Sequence, residues 1–300
     1  MAQLLLRGEP LGGPWGSPLA FRAVLFDKDG TLSHSEPMLL GLARSRIEQC
    51  LALLDARRGS IHPTSCGSYA AEPGPDPGQP DHGSGDPGPA DPDHALADRQ
   101  RQHLIDLLRR AYGMDGQGIH PGGLTAVAAR DHNLIATATA LCQVGIIWPD
   151  ALAIAEAAFE ASDAQPGVDA VPSATPGLSA LLDRLAQAGL TCAVISNDHR
   201  RGIRSFLQHH GLSDRFAAIW SAEDHPRKPS AGAVLALCEL LGIPPSACAL
   251  IGDAASDLRM AKTAGVQVAL GYRSGWRRPP GLDPGSVCLE HWDELEAVAL

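Results

Sequence analysis

The stretch Phe21-Arg22-Ala23-Val24-Leu25-Phe26-Asp27-Lys28-Asp29-Gly30-Thr31-Leu32 decides how the rest of the chain reads. Residues 21–26 form a short apolar run with β-branched content, which predicts a strand ending at Asp27. Two carboxylates, Asp27 and Asp29, follow at once, and Gly30 then lets the chain turn. Immediately downstream, Ser33-His34-Ser35-Glu36 has the pattern of a capping box and predicts a helix over about 36–58. Leu39, Leu42, Ile47, Cys50 and Leu54 recur there at helical spacing.

Working outward, the C-terminal part alternates short strands with helices. Residues 191–195, 216–220, 247–251 and 266–270 read as strands; helices fall over about 176–188, 199–210, 230–241 and 254–264. Such alternation predicts a parallel sheet with right-handed crossovers, which the strand at 21–26 must join. The intervening residues 35–171 carry helical patterns at about 96–112, 123–145 and 149–162, with no strand among them. The expected fold is therefore α/β: a Rossmann-like core from 20–34 and 172–300, interrupted by an all-helical cap at 35–171. Residues 1–19, rich in Gly and Pro, read as a flexible N-terminal arm. Residues 72–93 hold seven Pro and five Gly among 22 positions, too little apolar surface to offset the entropy of ordering, so about 60–95 reads as a disordered insertion. Gly83-x-Gly85-x-x-Gly88 within it has the letters of a dinucleotide fingerprint, but no strand precedes it and no helix directly follows.

Composition narrows the function classes. A chain of 300 residues that is 44% apolar can build a core without disulfide staples. Its net charge of −10 argues against a general nucleic-acid or anionic-membrane binder. No apolar run approaches the ~18 residues of a membrane span, and Leu4-Leu5-Leu6 is too short for a signal peptide. Seven cysteines without a C-x-x-C pair predict reduced thiols in a cytoplasmic protein rather than a disulfide framework or zinc site. No obligate protein partner is evident.

Four signals stand at the carboxyl ends of predicted strands, where open α/β sheets bind ligands. They are Asp27-Lys28-Asp29-Gly30-Thr31-Leu32, Ser196-Asn197, Lys228-Pro229 and Gly252-Asp253-Ala254-Ala255-Ser256-Asp257. Singly, each has a plain structural reading. Asp253 and Asp257 could serve a helix dipole, Ser196 could be a helix cap, and Lys228 could be a loop charge. By strand alternation Lys28 points away from its two acidic neighbours and reads as structural or solvated. His199 and His225 read as loop or cap residues rather than ligands. Arg273, Arg277, Arg278 and Trp276 read as a surface loop.

In this order the four signals resemble the haloacid dehalogenase-like superfamily, in its phosphatase branch with a helical cap, the arrangement of phosphoglycolate-phosphatase-like enzymes. The resemblance covers about 20–34 and 172–272 by motif; the cap matches only in position and helicity. It implies Mg²⁺-dependent hydrolysis of a small phosphomonoester through an aspartyl phosphate. Asp27 would be the nucleophile, Asp29 the general acid and base, and Lys228 the compensating charge. Asp27, Asp253 and the Asp29 carbonyl would bind the metal. Thr31, Ser196, Asn197 and Lys228 would hold phosphate, with Gly30 and Asp257 in support. The expected partner is a small phosphorylated metabolite, such as 2-phosphoglycolate or a sugar phosphate. A phosphomutase with the same acids and a non-catalytic binding module of this fold stay open as alternatives.

Overall fold

The structure is a computed structural model that describes residues 1–12, 19–59, 92–165 and 171–300. The predicted insertion at about 60–95 and its glycine fingerprint lie almost wholly outside the described residues.

Ala23–Phe26 forms a four-residue strand with every side chain buried. It is apolar throughout because it runs through the interior of a six-stranded parallel sheet, covered on both faces. The order across that sheet is Val287–Leu289, Val268–Tyr272, Cys248–Gly252, Ala23–Phe26, Thr191–Ile195 and Ala218–Trp220. Strand alternation divides the core in two. Val24, Phe26 and Val194 face the helices Leu178–Gln187 and Arg200–His209, where they meet Leu181, Leu185, Ile203 and Phe206. Ala23, Leu25 and Ile195 face the helices Ala231–Leu241 and Ala255–Thr263, with Val234, Leu237 and Met260. The first strand of the sheet has the next two in sequence on one side and the following three on the other. Its carboxyl end is therefore where strand order reverses and a crevice opens.

Between Ser33–His34 and Ser173–Ala174, which pair antiparallel at the point where the chain leaves and re-enters the core, the helices build a second unit. They are α1 (Glu36–Gly59), α2 (Pro92–Tyr112), α3 (Leu124–Val127), α4 (Arg130–Gln143) and α5 (Trp148–Asp163). Ile47, Cys50, Leu108, Tyr112, Leu141 and Ile154 are buried together in it.

Several expectations need correction. The loose arm expected at 1–19 does not hold for residues 1–12: Ala2–Leu6 pairs antiparallel with Leu295–Ala299 and with Glu9–Pro10. Ala2 and Leu4 are buried in the main core. Local composition hid this because the pairing partner is the opposite end of the chain. The cap contains a small hairpin, Met114–Asp115 with Gly118–Ile119, closed by Asp115 Oδ1 accepting from the Gln117 and Gly118 amides. The capping box does not form as read. Ser33 is in the two-stranded link, the helix begins at Glu36, and the Glu36 carboxylate accepts from the Arg277 amide instead. The helical pattern at 123–145 divides at Ala128–Ala129, both in extended conformation.

Candidate active site

Three carboxylates and one ammonium converge at the carboxyl ends of Ala23–Phe26 and Cys248–Gly252. Asp27 is the residue immediately after its strand, and its amide donates to Ile251 O at 2.9 Å. Asp253 follows the neighbouring strand, and Asp257 is in the first turn of the helix beyond it. Asp27, Asp253 and Asp257 are all buried, and their ligand oxygens lie within 4.8 Å of one another. Lys228 Nζ donates to Asp27 Oδ1 at 2.5 Å, contacts Asp257 Oδ1 at 2.8 Å and reaches Ile195 O at 3.3 Å.

Electrostatics follow from burial and the count of charges. Three buried carboxylates face one buried ammonium. Burial pushes the Asp27 carboxyl up to about 6, with Lys228 acting against the rise. The Asp253 carboxyl is raised well above the usual range by burial and by the negative charges of Asp27 and Asp257. Burial disfavours the charged form of Lys228, but Asp257 and Asp27 outweigh it and hold the ammonium protonated. A cluster with this excess of buried negative charge fits a hard divalent cation, which takes carboxylate oxygens as ligands and offsets their mutual repulsion. The donor set suits Mg²⁺ in that sense.

Lys28 departs from the strand-alternation reading. The strand ends at Phe26, and Lys28 sits in the turn whose carbonyl accepts from the Ser33 amide at 3.0 Å. Alternation no longer applies there, so Lys28 is 1% exposed rather than solvated. Its Nζ lies 2.5 Å from Asp29 Oδ1 and 3.1 Å from Asp198 Oδ2. Those two carboxylates raise the Lys28 proton affinity against the effect of burial. Ser35 Oγ donates to the same Asp29 oxygen.

The remaining expected residues are distributed as follows. Thr31 Oγ1 donates to Asp253 Oδ1 at 3.2 Å. Ser196 is buried at the end of Thr191–Ile195, and its Oγ accepts from the Asp198 amide at 3.1 Å. Asn197 Nδ2 donates to Val127 O of the cap at 2.9 Å, so this side chain bridges core and cap. Gly30 has φ +78°, and a Cβ there would lie 2.0 Å from Trp276 Nε1.

Trp276 is the residue that sequence reading missed. Far from being a surface aromatic, it is buried in the cap cluster, and its Nε1 donates to Asp253 Oδ2 at 2.6 Å. The available signal was positional. Its loop follows the carboxyl end of Val268–Tyr272, a strand end like the other four.

An α/β sheet with an inserted helical cap and a buried acidic cluster at adjacent strand ends is the arrangement of a capped hydrolase. The profile of the haloacid dehalogenase-like hydrolase family matches residues 21–265, and the chain belongs to that family. A phosphoglycolate phosphatase from Chromobacterium violaceum is 35% identical over 99 residues, 32% of this chain and 45% of that protein. One from Pseudomonas putida is 30% identical over 125 residues, 41% of this chain and 45% of that protein. The chain thus spans a little under half the length of these relatives. A solved structure described as a predicted phosphoglycolate phosphatase from Haemophilus somnus superposes with TM-score 0.56 at 16% identity, covering 91% of this chain and 95% of that one. That likeness is one of fold. No helix among the described residues is long and apolar enough to cross a membrane.

Proposed function

We propose that the protein is a Mg²⁺-dependent phosphatase that hydrolyses a small phosphomonoester through an aspartyl phosphate on Asp27. The observation that carries this reading is the buried cluster of Asp27, Asp253 and Asp257 around Lys228, with Asp29 two residues beyond Asp27. Mg²⁺ bound by Asp27 and Asp253 supplies the charge compensation that lets a carboxylate and a phosphate approach each other. Lys228 holds Asp27 Oδ1 in place, and its positive charge beside the nucleophile offsets the charge of an incoming phosphoryl group.

An oxygen of Asp27 attacks phosphorus, and the bond from phosphorus to the ester oxygen breaks. Asp29 in its acid form gives its proton to the departing alkoxide. As a carboxylate it then takes a proton from water, whose oxygen attacks the phosphorus of the acyl phosphate. The Asp27–phosphorus bond breaks, inorganic phosphate leaves and both carboxyl groups return to their starting states. Lys28 and Ser35 hold one Asp29 oxygen throughout, which orients the other for proton exchange. The Ser196 hydroxyl proton and the Asn197 amide, at the carboxyl end of Thr191–Ile195, would donate to phosphate oxygens.

The substrate is a small metabolite, because the helical cap stands over the strand ends, joined to them through Asn197 and Trp276. The names of the relatives make 2-phosphoglycolate the first substrate to try. The test is phosphate release from p-nitrophenyl phosphate and 2-phosphoglycolate, with and without Mg²⁺, by the unmutated protein and Asp27→Asn. Release that needs Mg²⁺ and disappears in Asp27→Asn supports the reading. Release that persists in Asp27→Asn removes Asp27 as nucleophile and overturns it.

A further inference from the structure

The segment 273–278 follows the carboxyl end of Val268–Tyr272, lies against Asp253 and Gly30, and is tied to the cap at several points. Gly275 O lies 3.1 Å from His34 Nδ1, at the junction of core and cap. The Arg277 amide donates to Glu36 Oε2 at 2.9 Å, at the start of α1. Arg277 Nη1 donates to Gln117 O at 3.2 Å, and Arg278 Nη1 to Asp115 Oδ2 at 2.8 Å, both in the cap hairpin. Between these anchors the Trp276 ring is packed among the cap's apolar side chains while its N–H is bonded to Asp253. The approach is close. A Cβ on Gly275 would stand 1.7 Å from Gly30 O, so only glycine at both positions lets the segment lie against the Asp27–Thr31 turn.

We propose that Trp276 is a positioning residue that couples the cap to cation binding at Asp253. Asp253 has one carboxylate oxygen bonded by Thr31 and the other by Trp276, so the orientation of the carboxylate is set from both sides. The Thr31 donor belongs to the core. The Trp276 donor moves with the segment that the cap holds. When the cap shifts away from the core, the indole N–H leaves Asp253, and the carboxylate loses half of the contacts that aim it. Outer contacts of this kind govern metal affinity through the orientation of the ligand. Coupling of binding free energies is reciprocal, so a cation at Asp253 also holds the cap closed. The inference rests on the proposal that Asp253 binds Mg²⁺.

Isothermal titration of EDTA-stripped protein with Mg²⁺ tests it, comparing the unmutated protein with Trp276→Phe, which keeps an apolar ring and removes the N–H. Trp276→Phe is expected to bind Mg²⁺ about 10- to 100-fold more weakly. Its turnover should recover as Mg²⁺ is raised to saturation, which a merely structural lesion would not do. Equal or tighter Mg²⁺ binding by Trp276→Phe overturns the inference and leaves the phosphatase reading standing. Absence of Mg²⁺ binding by the unmutated protein overturns both. A second measurement uses the unmutated protein alone and does not depend on folding of the variant. Saturating Mg²⁺ is expected to slow amide hydrogen exchange in the cap hairpin 114–119 and in 273–278 at least several-fold; unchanged exchange in both segments, with Mg²⁺ bound, overturns the coupling.

Discussion

Replacing Asp27 by Asn should abolish turnover and at the same time stabilise the metal-free protein. The unmutated site holds three buried carboxylates against Lys228, and burial raises the Asp27 carboxyl from an ordinary 3.8 to about 6. The difference of about 2 in pKa, at about 1.4 kcal/mol per unit, comes to about 3 kcal/mol. The sign follows from proton uptake. Between pH 4 and 6 the folded protein binds more protons at Asp27 than the unfolded chain does, so stability falls as pH rises through that window. Below it the carboxyl is neutral in both states and costs nothing. Above it the full penalty applies. The amide introduced by Asp27→Asn is neutral at every pH, and Lys228 keeps Asp257 as a partner. The variant should therefore melt about 5 °C higher than the unmutated protein at pH 8. The gain should shrink toward zero near pH 4. The assay is thermal unfolding followed by circular dichroism in EDTA at pH 4, 6 and 8. Saturating Mg²⁺ should narrow the gap by stabilising the protein that binds it better. An Asp27→Asn protein no more stable than the unmutated one at pH 8, or a gain unchanged at pH 4, would refute the charge-excess argument.

Two further outcomes test the division of labour in the site. Lys228→Met removes the only ammonium bonded to Asp27 among the described residues and should cost about 3–5 kcal/mol in metal-free protein. Chemical denaturation at pH 5 and pH 8 should show the larger loss at pH 8, where the orphaned carboxylates are charged. Asp29→Asn should slow turnover of an alkyl phosphate by about 10²- to 10⁴-fold. With p-nitrophenyl phosphate, whose leaving group needs no proton, the same variant should accumulate phosphate on Asp27, which acid quenching and mass spectrometry would detect; an equal loss of both steps would remove Asp29 as the proton carrier.

The core was legible because its signals are local. An apolar run ending in Asp27-x-Asp29-Gly30, a strand ending at Ser196, and Asp253 before a helix each follow from a few neighbouring residues. The sheet order then brings those ends together. Three parts were not legible. The Ala2–Leu6 strand owes its order to Leu295–Ala299, a partner nearly the whole chain away. Lys28 could be placed only by knowing that the strand ends at Phe26, which moves its side chain from the alternation pattern into contact with Asp29 and Asp198. Glu36 looked like a capping acid because its competing donor, the Arg277 amide, is 241 residues distant.

The sequence by itself determined the α/β core and which polar groups stand near its strand ends. Carboxylates, a lysine and a hydroxyl at strand ends can be recognised from residue type and spacing, since the backbone of a parallel sheet must deliver them to one edge. Only the tertiary structure decided how those groups are held. The pairing of Lys228 with both Asp27 and Asp257, the seating of Asn197 on the cap, and the indole N–H of Trp276 on Asp253 all join segments that no local pattern links. Hydrogen bonds and ion pairs act over about 3 Å in space, whatever the distance along the chain.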